Sequence, residues 1–171
     1  MPKWQVHKAI ARILDIDINI TNIVDDIIDL RKPHDGITEF GAFADKLLEI
    51  IKRFGNDMKQ LMQALMAFHL HHILDIAYEK GSLTGAIKEY KQIIQDFISK
   101  TKTLSQIKAQ TPQINNIIHI DRYSSDEEGI TFDDIEPLKD KIPLIKGSLE
   151  ELLRRIQEKW EEISANLLGV E

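Results

Sequence analysis

The sequence predicts an all-α protein, a compact bundle of about six helices with a long acidic loop before the C-terminal helix. Apolar residues recur at spacings of three and four along almost the whole chain, the mark of helices with one buried face. No two-residue alternation bounded by turn signals competes with that pattern. Turn formers at Pro33 and Gly36, Gly55, and Gly81 and Gly85 cut the chain into pieces of helical length.

The first helix is expected over about residues 3–14, with Trp4, His7, Ile10, Ala11 and Leu14 on one face. The second opens near Asn19 or Thr21, both good caps, and sets Ile20, Ile23, Val24, Ile27 and Ile28 against a polar stripe of Asn22, Asp25, Asp26 and Asp29. Pro33 and Gly36 then force a loop that carries His34 and Asp35. A third helix, residues 38–54, buries Phe40, Phe43, Leu47, Ile51 and Phe54 and stops at Gly55. A fourth, residues 57–78, holds His69, His71 and His72, and a fifth runs from residue 86 to 100 or slightly beyond. Short connections favour antiparallel neighbours. Residues 111–143 change character, with Pro112, the short run Ile117, Ile118, His119 and Ile120, and acidic groups at 126–128 and 133–136, and read as an irregular connection. The final helix, residues 146–168, spaces Leu149, Leu153, Ile156, Trp160, Ile163 and Leu167 as an a/d seam; it suits packing on the bundle or a homo-oligomer through 149–167. Glu150 with Arg154 and Glu151 with Arg155 are set to pair along it. The organisation is thus 1–110 bundle, 111–145 acidic connection and 146–171 amphipathic helix, one domain overall.

A length of 171 residues is enough for one sizeable core. A formal charge of -6 argues against a nucleic-acid surface, which needs a clustered basic face. No apolar run approaches a membrane span, and the N-terminus lacks the apolar core of a signal peptide, so the expected address is cytoplasmic. The absence of cysteine removes disulfides and thiolate ligands, leaving histidine and carboxylate to hold any metal. Twenty-eight isoleucines with abundant Lys and Glu fit an AT-rich or thermophilic source.

Three of the six histidines lie within one turn at 69–72, with Asp75 one turn on. At about 100° per residue, His69 and His72 share a face with Leu65 and Ile76, while His71 and Asp75 lie on its flank. Imidazole and carboxylate at such spacing can converge on zinc, manganese, iron or nickel. The structural alternative is a set of satisfied core histidines, most of all at His69. His7 on the apolar face of the first helix needs either a buried partner or an ion.

The order Trp4, His7, Asp29, His34 with Asp35, then His71, His72 and Asp75 resembles two groups of helical metal hydrolases, the HD-domain phosphohydrolases and the zinc-dependent phospholipase C group, over residues 4–80. The chain departs from the first because Pro33 sets the His-Asp pair in a loop, and from the second because only His119 follows Asp75. The resemblance implies one or two divalent ions held by His7, His34, Asp35, His72 and Asp75, with His71 or Asp29 as base or orienting group and Asp25 and Asp29 as outer partners. It further implies a phosphorylated small molecule or phosphodiester substrate, with Arg12, Arg31 and Lys32 as cationic help. The competing readings are a non-catalytic helical interaction protein and a metal-storage or metal-sensing bundle; for the latter, Glu-x-x-His pairs would be expected and are absent.

Overall fold

The computed structural model describes residues 4–30, 40–116, 118 and 130–167. Among these the chain is all α: α1 Trp4–Ile13, α2 Ile18–Leu30, α3 Phe40–Phe54, α4 Met58–Lys80, α5 Leu83–Gln110, α6 Ile135–Asp140, α7 Ile142–Glu158 and α8 Trp160–Asn166. Helix α2 starts slightly earlier than expected because Asp17 is its cap, its carboxylate accepting the Ile20 N–H at 3.0 Å. Asp57 caps α4 by accepting from the N–H groups of Lys59 and Gln60. At the other end Gly81 takes φ 70°, a left-handed geometry that favours glycine, and returns its N–H to Ala77.

Two differences from the expected elements have local causes. Helix α5 continues to Gln110 because its buried spacing carries on through Phe97, Thr101, Leu104 and Ser105, with no breaker before Pro112. The second half of the expected irregular connection is helical: Thr131 and Asp134 cap each other reciprocally around a 3-10 turn, Phe132–Asp134, which leads into α6. Pro143 sits in the first turn of α7, where its missing N–H costs nothing. The Ile118 N–H donates to the Ile130 carbonyl at 2.8 Å, tying together the two ends of the segment between them.

The final amphipathic stretch is two helices, α7 and α8, joined at Lys159. Of its seam, Leu149, Ile156, Ile163 and Leu167 are buried within the chain, α7 lying on α4 and α8 on α1. Arg154 pairs with Glu151 and Glu158, and Arg155 with Glu151. None of the helices described is long and apolar enough to cross a membrane.

Helix α4 is the axis of the bundle, packed against α1, α2, α3, α5 and α7. Every residue from Ala64 to Leu74 is buried, as befits a helix surrounded on all sides. The histidine cluster therefore lies inside the core, where a polar atom costs free energy unless it is partnered; His69 is, whereas His71 Nε2 and His72 Nε2 have no hydrogen-bond partner.

Candidate metal centre

Because successive residues of a helix diverge by about 100°, the three histidines of α4 face three different neighbours. His69 faces α5 and α7. Its Nε2 lies 3.1 Å from the Ile145 carbonyl, which can only accept, so Nε2 carries the proton and Nδ1 accepts the Tyr90 hydroxyl at 2.6 Å. Ser148 Oγ adds a contact at 2.9 Å. Burial, offset only in part by the Ile145 carbonyl, pushes the His69 pKa down to about 3, so the ring is neutral. It is a satisfied core histidine, and Tyr90 and Ser148 are partners that sequence reasoning did not single out.

His72 turns instead towards an aromatic wall. Its ring lies 4.7 Å from that of Phe68, 5.6 Å from Phe43 and 6.1 Å from Tyr90, centroid to centroid. Burial, and then the proximity of His71 and Lys46, holds its pKa well below the ordinary value. Expected from sequence as a ligand, it stands outside the group of donor atoms that converge. His34 and Asp35, also expected as ligands, lie outside the described residues, as do Arg31, Lys32 and His119. Arg12 is exposed on α1.

His71 faces α1 and α2, and the other site residues gather around it. His7, Asp25 and His71, all buried, each bring a donor atom within 4.8 Å of the other two. The His71 Nδ1–H donates to Asp25 Oδ1 at 2.8 Å, leaving Nε2 directed at two further carboxylates, Asp29 Oδ1 and Asp75 Oδ2, each at 3.3 Å. His7 Nε2 lies 3.7 Å from Asp75 Oδ1, and its ring meets that of His71 edge-on at 4.8 Å. Neither nitrogen of His7 has a hydrogen-bond partner, nor has His71 Nε2 or Asp25 Oδ2. Asp29 and Asp75 form the open side, with side chains 32% and 41% exposed.

Three carboxylates around two imidazoles leave an excess of negative charge in a largely buried place. Burial alone would lower the His71 pKa, but the bond to Asp25 and the contacts with Asp29 and Asp75 outweigh it and raise the value to about 11. A proton on His71 thus does electrostatically what a cation would do. Burial, followed by the charge on His71, lowers the pKa of His7, so it stays neutral with a lone pair to give. For Asp29 burial acts upwards and is overcome by His71, His7 and a hydrogen bond from Trp4, so its pKa falls below the ordinary value.

The distances suit an ion. Four tetrahedral ligands at roughly 2.0–2.1 Å hold neighbouring donor atoms about 3.3–3.4 Å apart, close to the spacings of His71 Nε2 from Asp29 and Asp75. The 2.8 Å contact between His71 and Asp25 is shorter and is that of a hydrogen bond, the usual tie from a ligand imidazole to an outer carboxylate. Comparison with protein-family models, with curated proteins and with solved structures finds no match.

Proposed function

We propose that the protein is a metal-dependent phosphoester hydrolase whose divalent ion is held by His7, His71, Asp29 and Asp75, with Asp25 orienting His71. The observation that carries this reading is the set of orphaned donors. Buried imidazole nitrogens normally find partners, yet His7 has none on either nitrogen and His71 has none on Nε2, while two carboxylates face that Nε2 at ligand-like distances. An ion there that also took a water as a fifth ligand would supply a lowered water pKa and stabilisation of charge on phosphoryl oxygens. Asp25 fixes the His71 tautomer, so that Nε2 and not Nδ1 faces the open side. Asp29 and Asp75, partly exposed, are placed to take a proton from water arriving from solvent. His72, its ring 5.6 Å from that of His71, packs the adjoining flank of the helix against Phe43 and Phe68.

A second reading is favoured by the 2.8 Å bond between His71 and Asp25, both buried. Here the protonated His71 is the cation, and the cluster is a structural ion pair joining α2 to α4.

Elemental analysis of untagged protein purified without chelator distinguishes the two. The hydrolase reading expects a stoichiometric transition metal that is lost in His71→Ala, and turnover of p-nitrophenyl phosphate or bis-p-nitrophenyl phosphate lost with it. No ion in the wild-type protein, even after reconstitution with zinc and manganese, would leave the ion pair as the role of the cluster.

A further inference from the structure

The ligands proposed for the ion are divided unequally between helices. Asp29 lies on α2, His71 and Asp75 lie on α4, and these two helices are joined within the site itself by the bond from His71 to Asp25 at 2.8 Å. That half of the site holds together with or without an ion. His7 is the single ligand that α1 brings. Its side chain is 4% exposed, neither ring nitrogen has a hydrogen-bond partner, and the carboxylate oxygen it faces, Asp75 Oδ1, stands off at 3.7 Å. A polar group buried in that state costs free energy whenever α1 docks, and an ion at Nε2 removes part of that cost. The rest of the hold on α1 is modest. Of its ten residues His7, Ile10 and Ala11 are buried, and Arg155 reaches the carbonyls of Leu14 and Asp15, past the end of the helix, not the turn that carries His7. A short segment with few buried apolar groups opens locally at less cost than the core does. Helix α4, buried at every residue from Ala64 to Leu74, stands at the other extreme.

Resting on the metal reading above, we infer that α1 is a latch governed by the ion: binding at His7 clamps α1 onto α2 and α4, and loosening of α1 weakens the hold on the ion. The two equilibria are linked, so the factor by which zinc tightens α1 equals the factor by which docked α1 tightens zinc. For couplings of the usual size that factor is about 5- to 150-fold. Release of the ion then passes through the opening of α1, which leaves it on the weaker half-site of α2 and α4.

Hydrogen–deuterium exchange of the full chain, followed by mass spectrometry with and without zinc, tests this. In zinc-free protein the amides of α1 at residues 8–13 should exchange faster than those of α4, and saturating zinc should slow them by about 5- to 150-fold. His7→Leu puts an apolar side chain in the same place. In that variant α1 should exchange more slowly than in zinc-free wild type, because the orphaned ring is gone, and zinc held by α2 and α4 should no longer alter it. The latch is overturned, with the metal reading left standing, if α1 of zinc-free wild type exchanges as slowly as α4, if bound zinc leaves its exchange unchanged, or if zinc protects α1 equally in wild type and in His7→Leu. If wild-type protein takes up no zinc, the metal reading falls first and the latch with it. Circular dichroism verifies that His7→Leu is folded, and the comparison of wild type with and without zinc decides the matter without it.

Discussion

Lowering the pH from 6.5 to 4.5 should weaken the fold through His69 by an amount that the structure sets. In the unfolded chain this ring titrates near its ordinary 6.5, whereas in the fold its pKa is about 3. Above pH 6.5 both states are neutral and the stabilising bonds to Tyr90 and Ile145 are kept in full. Below it the unfolded chain gains a proton that the fold refuses, and stability drops until the pH reaches the folded value. A full pH unit well inside that window is worth about 1.4 kcal/mol per histidine, and because the unfolded ring is already half protonated at pH 6.5 the two units together cost about 2 kcal/mol. Since the ring is fully buried, solvent screening does not reduce the figure. The assay is urea unfolding of chelator-treated protein by far-ultraviolet circular dichroism at both pH values, for wild type and for His69→Gln, which cannot titrate. The other titrating groups are common to both proteins, so wild type should lose about 2 kcal/mol more than the variant. Equal losses would show that His69 is not held neutral, and would refute the argument from burial.

Three further outcomes follow from the same contacts. Tyr90→Phe leaves His69 Nδ1 buried without a donor and should cost about 1–3 kcal/mol in urea unfolding; unchanged stability would mean that the 2.6 Å bond contributes nothing. Zinc affinity should rise about tenfold per pH unit between pH 7 and 9, because binding must displace the proton that His71 holds up to about pH 11; calorimetry in buffers of different ionisation enthalpy should count one proton released per ion, and a flat affinity would remove His71 from the ligand set. In the metal-free protein the same proton stabilises the fold fully below pH 6.5, and that contribution is lost as the pH rises towards 11. His72→Ala should destabilise the protein by about 3 kcal/mol through lost packing against Phe43 and Phe68 while leaving metal content unchanged; loss of the ion in a folded variant would bring His72 into the centre.

The fold was legible because helices report their buried face at fixed intervals. Phe40, Phe43, Leu47, Ile51 and Phe54 follow that interval and are all buried, and Asp57 and Gly81 bound α4 by chemistry visible in the sequence. The C-terminal helical turns were obscured by Pro137 and Pro143, which interrupt a helix in its interior yet are well placed near its start. The site was harder to read because periodicity gives a helix's apolar side but not which neighbour covers each flank. On a helix buried all round, His71 and His72 are equivalent by that criterion, although only one faces α1 and α2. The acidic stripe of α2 is hard to sort for a related reason, although Asp25 is among the expected outer partners and does hold His71. Asp25 and Asp26 are adjacent and chemically alike, yet Asp25 is buried against His71 while Asp26 is exposed. The signal that could have found the site was the spacing of four from Asp25 to Asp29, matched by the spacing of four from His71 to Asp75, two complementary pairs on facing helices.

The contacts that α7 and α8 make with α1 and with the residues just past its end have a bearing on the order in which the fold can form. Arg155 Nη1 donates to the carbonyls of Leu14 and Asp15 just past the end of α1, at 3.0 and 3.2 Å and across 141 residues to Leu14. The helix that carries His7 is thus seated in part by a segment that is synthesised long after it. At about 5–20 residues per second, the interval is roughly 7–30 s, during which α1 has its contacts with α2 and α4 but not yet those with α7 and α8. His7 would thus take its final place only once Arg155 and α8 have been made, and on the metal reading proposed above the full ligand set would exist only from that point on.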